Sequence, residues 1–182
     1  MKVPFAMPEC GEEEIQEVAE VIRSGWLTTA SRCARFEQDF AEFVGARHAL
    51  TVNSATAALH LGLEALGIKA GDKVLVPTFT FTATAEVVRY LRADPVFVDC
   101  DKETFCINAT QMEKRFDAQR AKSIEHRVKA VIPVHFGGHP CDMDGIMGIA
   151  RSSPVPSPGA TLYQYAAPLL NTLCCHFVNS TW

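Results

Sequence analysis

Ser54, Ala55 and Thr56 are the residues of this chain best placed by type and spacing to do chemistry. They follow the extended, largely apolar run Leu50-Thr51-Val52-Asn53 and open an Ala- and Leu-rich stretch that reaches His60. The first N–H groups of a helix have no intrahelical acceptor, and the helix dipole adds positive charge there. Such a strand-to-helix junction suits an anion, above all a phosphate. The hydroxyls of Ser54 and Thr56 add hydrogen-bonding groups, and Ala55 leaves room for close approach. Serine is equally an ordinary helix N-cap, and on these residues alone both readings stand.

Two further groups carry chemical side chains. Thr78-Phe79-Thr80-Phe81 lies between a strand and a helix. An aromatic ring there could stack on a planar group bound beside the anion site, or both rings, sharing one face of an extended segment, could belong to the core. His135, His139, Cys141, Asp142 and Asp144 are all metal-ligand types, but their spacing matches no familiar finger or H-E-x-x-H pattern. Gly137-Gly138 and Pro140 read as a turn and Asp142 as a helix cap, so no metal is expected there, nor at Cys174-Cys175-His176. No Ser/His/Asp triad signature, P-loop or GxGxxG motif is found.

The elements that must position these residues follow from periodicity. Glu12–Glu14 load the first turn of a helix that continues through Ile15, Val18, Ala19 and Ile22 and ends at Gly25. Trp26–Thr29 reads as a connector, and a second helix with Phe36, Phe40 and Phe43 on one stripe stops at Gly45. Residues 48–52 are expected to form a strand, and the helix from Ala55 closes at Gly67. Strands are then expected at Lys73–Val76, Pro95–Val98 and Val128–Val134. Helices are expected at Thr82–Leu91, from Asn108 to about Phe116 with Asn108 and Gln111 as a capping box, and at Met143–Ala150. This alternation predicts βαβ units and a mostly parallel sheet with flanking helices, with ligands at the carboxyl ends of the strands. The rim would comprise Asn53–Thr56, Pro77–Phe81, Asp99–Asp101 and His135–Gly138.

Composition narrows the function classes. A net charge of −4 over 182 residues gives no basic footprint for nucleic acid or anionic lipid. No apolar run approaches the ~18 residues of a membrane span, and the acid-rich start does not resemble a signal peptide. Seven scattered cysteines without a CxxC pair fit reduced thiols, and the expected location is the cytoplasm.

In order along the chain, the segments GEEEIQEVAEVIRSGWLTT, FEQDFAEFVGARHALTVNSATAALHLGLEALGI, GDKVLVPTFTFTATAEVVRYLRADPVFVDCD and AVIPVHFGGHPCDMDGIMGIA form a composite pattern. It resembles the pyridoxal 5′-phosphate (PLP)-dependent sugar aminotransferases of the DegT/DnrJ/StrS type, from about Val3 to Ala150. The resemblance implies a fold type I large domain, here truncated, usually within a homodimer. It implies transfer of an amino group from a glutamate-like amino acid to a keto sugar, typically nucleotide-linked, in surface polysaccharide or secondary-metabolite biosynthesis. By the same analogy Ser54, Ala55 and Thr56 hold the cofactor phosphate, Phe81 stacks on the pyridine ring, and Trp26, Thr28 and Thr29 lie near the substrate. Ala55 stands where the family usually has Gly, a tolerable change where backbone amides bind.

The resemblance also implies parts that these residues do not supply. The family needs a carboxylate to keep the pyridine nitrogen protonated and a lysine to bond the cofactor and shuttle a proton. Both are expected beyond residue 150, the acid on the next strand. Residues 151–182 instead begin with a Pro/Ser-rich stretch, show no clear period, and contain no Lys, Asp or Glu. They read as a foreign or poorly ordered tail, as a frameshift or misjoined exon would produce, beside a family-like part at 1–150. No catalytic residue is therefore assigned, covalent attachment of PLP is not expected, and aminotransfer by this chain alone is not expected. A non-catalytic phosphate- or PLP-binding or dimerising protein is the alternative. Without the family's later strands, Ala49–Val52 would also lack neighbours in the sheet.

Overall fold

Val74, Leu75 and Val76 are buried, and their side chains alternate between two separate cores. Val74 and Val76 join Leu59, Leu63, Val87, Val88 and Ile132, whereas Leu75 joins Val98, Ile107, Met112, Phe116 and Ile146. A strand apolar on both faces belongs to a parallel sheet covered by helices on each side. The computed structural model describes residues 9–119 and 128–151 with their side chains, and the backbone of 120, 160–165 and 174–178. The chain divides into two compact units, Met1–Asn53 and Ser54–Trp182.

The first unit contains α1 (Glu12–Ser24) and α2 (Ser31–Val44). The Gly11 N–H donates to the Glu14 carboxylate at 2.6 Å and closes the start of α1. Gly25 (φ 73°) and Gly45 (φ 68°) end the two helices in the left-handed conformation that glycine adopts most easily. Arg32 pairs with Glu17 and Glu20, and Arg35 with Glu17 at 3.2 Å. The expected strand at 48–52 does not form: these residues pair with no other strand among the described residues, and Leu50 is 82% exposed. A strand needs a neighbour for its N–H and C=O groups. Here the Thr51 N–H and hydroxyl both donate to Glu37 at 2.7 Å instead.

The second unit is built on one sheet. Strands β1 (Lys73–Pro77), β2 (Asp94–Val98), β3 (Val128–Val131), β4 (Val134–His135) and β5 (Ala160–Tyr165) pair in parallel, and β6 (Cys174–Val178) runs antiparallel to β5. Because β5 pairs with both β3 and β4, these two are halves of one strand, where the sequence reading expected an unbroken Val128–Val134. Pro133 at the break has no N–H to offer a ladder, while the Ile132 N–H still reaches the Leu75 carbonyl at 2.9 Å. The order across the sheet is β2-β1-β3/β4-β5-β6. Two strands thus arise from a segment whose residues showed no strand period. Residues 152–159, 166–173 and 179–182 of that tail lie outside the described residues.

Helices α3 (Ala55–Ala65), α4 (Ala83–Tyr90), α5 (Ala109–Arg120) and α6 (Met143–Arg151) complete the unit. Leu59 and Leu63, one turn apart, fix α3 on the sheet. Asn108 caps α5 by accepting the Gln111 N–H at 3.0 Å, and α5 runs one turn beyond the expected Phe116. Asp142 caps α6 through the Gly145 N–H at 3.0 Å. No helix among the described residues is long and apolar enough to cross a membrane.

Candidate functional site

The carboxyl ends of the parallel strands β1, β2 and β4 share one edge of the sheet. A helix that packs on the sheet and then feeds β1 through residues 66–72 begins at that same edge. α3 therefore brings its head to the rim where ligands of such sheets bind. Ser54 has extended geometry (φ −160°, ψ 155°), and its Oγ accepts the Ala57 N–H at 3.2 Å. That is N-cap geometry. It satisfies one first-turn donor and leaves the Ala55 and Thr56 N–H groups beyond the reach of any carbonyl within the helix. Ser54 is exposed, and Ala55 and Thr56 are half-buried. A phosphate dianion matches this donor set in charge and in hydrogen bonding.

The loop after β1 is tied at several points. The Thr78 N–H donates to the Val98 carbonyl at 2.9 Å, Thr80 and Thr84 share a hydroxyl hydrogen bond of 2.8 Å, and the Thr84 N–H reaches the Phe81 carbonyl at 3.0 Å. Phe81 is 76% exposed and Phe79 47% exposed, so the core alternative fails for both rings. The chain turns into α4 directly after Phe81, and this gives the two rings different surroundings. Phe79 packs on Phe136 (ring centroids 4.8 Å apart) and Phe105 (5.4 Å), while Phe81 presents an open aromatic face.

On the rest of the rim the candidate ligand side chains serve the fold. His135 is buried, and its Nδ1 accepts the Cys141 N–H at 2.9 Å. Burial holds the His135 imidazole below its ordinary pKa. The Cys141 thiol donates to the Val134 carbonyl at 3.2 Å; burial, and then the neighbouring Cys106, push it up to about 12. Gly137 (φ 59°) and Gly138 (φ 84°) make the turn after β4. Among the described residues no cluster of His, Cys, Asp or Glu is arranged to hold a metal ion. Cys174–His176 lie in β6, with their side chains outside the described residues.

An open cleft of about 460 Å³ borders the starts of α5 and α6, lined in part by Asp101, Thr104, Asn108, His139 and Asp142. Its carboxylates are committed locally. Asp101 accepts the N–H groups of Thr104 and Glu103 at 3.0 Å, which holds its carboxyl below the usual range, and Asp142 caps α6. Trp26, Thr28 and Thr29 lie in the first unit on the connector between α1 and α2, all exposed, with the Trp26 indole N–H donating to the Thr29 carbonyl at 3.4 Å. Sequence reasoning passed over Phe105 and placed Phe136 on the rim, within His135–Gly138, without a role. The Asp101-x-x-Thr104 turn signal ahead of Phe105 could have marked the first of them.

Residues 8–156 match the model of the DegT/DnrJ/EryC1/StrS aminotransferase family. The chain is 45% identical over 150 residues to the spore coat polysaccharide biosynthesis protein SpsC of Bacillus subtilis (strain 168), covering 82% of this chain and 36% of SpsC. It is similar to solved structures of Spr1654 from Streptococcus pneumoniae, a candidate sugar aminotransferase. The PLP form matches at TM-score 0.75 and 34% identity over 83% of this chain and 36% of that one. The PMP form matches at TM-score 0.78 and 30% identity over 90% and 42%. A DegT DnrJ EryC1 StrS aminotransferase from Brucella abortus matches at TM-score 0.74 and 31% identity, over 83% of this chain and 39% of that one. The chain thus spans between about a third and just over two fifths of the length of these relatives.

Proposed function

The chain belongs to the DegT/DnrJ/EryC1/StrS aminotransferase family, and on that premise we propose that it carries the cofactor-anchoring part of a PLP-dependent sugar aminotransferase. The reaction would move an amino group from a glutamate-like donor to a keto sugar, typically nucleotide-linked, for a surface polysaccharide or secondary metabolite. PLP is the family's cofactor; when bound, it supplies an electron sink for the substrate carbon that loses its proton. The observation that carries the proposal is the pairing of a capped helix head at Ser54 with an open aromatic ring at Phe81 on one sheet rim. Ser54, Ala55 and Thr56 would hold the phosphate by hydrogen bonds and helix polarity, and Phe81 would cover one face of the pyridine ring. Trp26, Thr28 and Thr29 would contact substrate. The cytoplasm and a homodimer are the setting this reading implies.

We further propose that these 182 residues bind the cofactor without catalysing transfer. β5 is the strand next to β3/β4, where the family's carboxylate is expected, yet Ala160–Tyr165 contains no Asp or Glu. The last lysine is Lys129, and it pairs with the buried Asp72 at 2.9 Å. A non-catalytic PLP- or phosphate-binding protein is the second reading, favoured by the same two absences. The test is to add PLP to the purified chain, reduce with borohydride and map adducts by mass spectrometry. Scattered, substoichiometric labelling of lysines is expected. One lysine labelled stoichiometrically and protected by sugar substrate would overturn the non-catalytic proposal.

A further inference from the structure

The phosphate cradle and Phe81 leave Phe79, Phe105 and Phe136 unused, although the three rings stand together on the rim. They come from three loops, after β1, after β2 and after β4. Their ring centroids lie 4.8, 5.4 and 5.8 Å apart, within the range of favourable aromatic pairing. Phe105 adopts φ 58°, a left-handed conformation costly for a side chain of this size. A tight turn enforces it. Asp101 Oδ1 takes the N–H groups of Glu103 and Thr104, the Phe105 N–H donates to the Asp101 carbonyl at 3.0 Å, and the Asp101 N–H to the Cys106 carbonyl at 2.8 Å. The turn sets the Phe105 ring half-exposed on the rim and against Phe79, outside the core. Strain retained for a half-exposed contact points to function over stability.

We infer that Phe105 and Phe136 are positioning residues: by clamping Phe79 they hold the 78–82 loop so that Phe81 presents its face to a planar cofactor ring. This rests on the proposed cofactor role of Phe81. Thr78 and the Thr80–Thr84 pair tie the loop at its two ends. Between them, at Phe79, the aromatic pair supplies the sideways support. Neither Phe105 nor Phe136 needs to touch the cofactor.

The test titrates pyridoxamine 5′-phosphate, which has no aldehyde to react with lysines, into the whole chain and follows its fluorescence. Phe81→Ala reports on the cofactor reading itself. Phe105→Ala, Phe105→Gly and Phe136→Ala are each expected to weaken binding about two- to tenfold, the worth of one aromatic pair. Phe105→Tyr, which keeps the ring, is expected to bind as the wild type does. Phe105→Gly separates positioning from stability, because glycine relieves the left-handed strain while deleting the ring. Its thermal midpoint is expected to stay level while affinity falls and amide exchange at 78–82 speeds up without ligand. If Phe81→Ala weakens binding but the Phe105 and Phe136 variants do not, the inference falls and the cofactor reading stands. Weaker binding with unchanged exchange at 78–82 also overturns it. A wild-type chain that binds no pyridoxamine phosphate removes the cofactor reading and this inference together.

Discussion

Replacing Ser54 by Asp separates the cap that its side chain makes at the head of α3 from the phosphate contact proposed for it. The Ser54 Oγ accepts the Ala57 N–H at 3.2 Å, a cap whose loss to Ala costs about 1 kcal/mol. Aspartate caps equally well, so Ser54→Asp is expected to keep the wild-type melting temperature, whereas Ser54→Ala should lower it by about 2–4 °C. Anion binding responds oppositely. A carboxylate about 4 Å from a phosphate charge repels it by about 1 kcal/mol in water and about 4 kcal/mol at the effective dielectric of a protein surface. Ser54 is exposed, so the lower part of that range applies. Against a dianion this gives about 2–4 kcal/mol, or roughly 30- to 700-fold weaker binding. Circular dichroism melts and pyridoxamine phosphate titrations at two salt concentrations read both quantities, and the penalty should shrink as salt rises. Ser54→Asp that melts normally and still binds at wild-type affinity would show that Ser54 is only a cap and that no phosphate sits on α3.

Three further perturbations test the packing around the rim. Gly145→Ala, which in an open helix gains about 1 kcal/mol, is expected instead to lose about 1 kcal/mol. Its Cβ would lie 2.4 Å from the capping Asp142 carboxylate and 3.2 Å from Ala109 Cβ, so a raised melting temperature would refute this packing. Asp72, buried, accepts the Lys69 N–H and the Lys129 ammonium, each at 2.9 Å. Urea unfolding should show Asp72→Ala losing about 2–4 kcal/mol and Asp72→Asn less, because the amide oxygen still serves Lys69; equal losses would count against that account. Burial lowers the folded pKa of His135, so the unfolded chain takes up the proton first as pH falls. Stability is then full above the ordinary value of 6.5 and declines below it. The carboxyls of Glu14, Glu37 and Asp101, held low by backbone N–H donors, lose their contribution only further down, through their folded pKa values. His135→Asn should flatten the upper window of a pH–stability curve and leave the lower one, and an unchanged upper slope would sink the assignment.

What could be read from the sequence was what short-range forces decide. The acidic start of α1, the glycines that end α1 and α2, and the caps at Ser54, Asn108 and Asp142 each depend on residues within about a turn. The strand β1 was equally plain, since a buried parallel strand needs only a continuous apolar run, and β2, at the sheet edge with only Val98 buried, was marked by its β-branched and aromatic residues. Failures came where a distant partner decides. Residues 48–52 are as apolar and β-branched as a strand requires, but without a neighbouring ladder Thr51 turns to Glu37. Conversely, 160–165 carries no strand period yet pairs with Ala130, Val131, Val134 and His135, because the open edge of β3/β4 offers hydrogen bonds to whatever runs alongside. Of the proposed site, the capped junction at Ser54 and the open ring of Phe81 were visible in the sequence. The Phe79–Phe105–Phe136 contact was not, since three loops far apart in sequence meet only through the sheet order.

The same division between local and distant interactions bears on function. A phosphate cradle at α3 requires a cap, two first-turn amides that no carbonyl of the helix can reach and a helix held firmly in place. All of these come from residues 54–88 together with the strands that Leu59 and Leu63 pack against. Transamination requires in addition a carboxylate and a lysine converging on the same ring from elements remote in sequence. On the reading proposed above, a chain with the first set and not the second would bind a phosphorylated planar cofactor reversibly without carrying the proton that amino transfer moves. Its affinity then rests on the phosphate and the ring contact alone. Inorganic phosphate should compete with pyridoxamine phosphate, and pyridoxamine lacking the phosphate should bind far more weakly. Equal binding of pyridoxamine with and without its phosphate would place the ligand away from α3 and remove the helix head from the account.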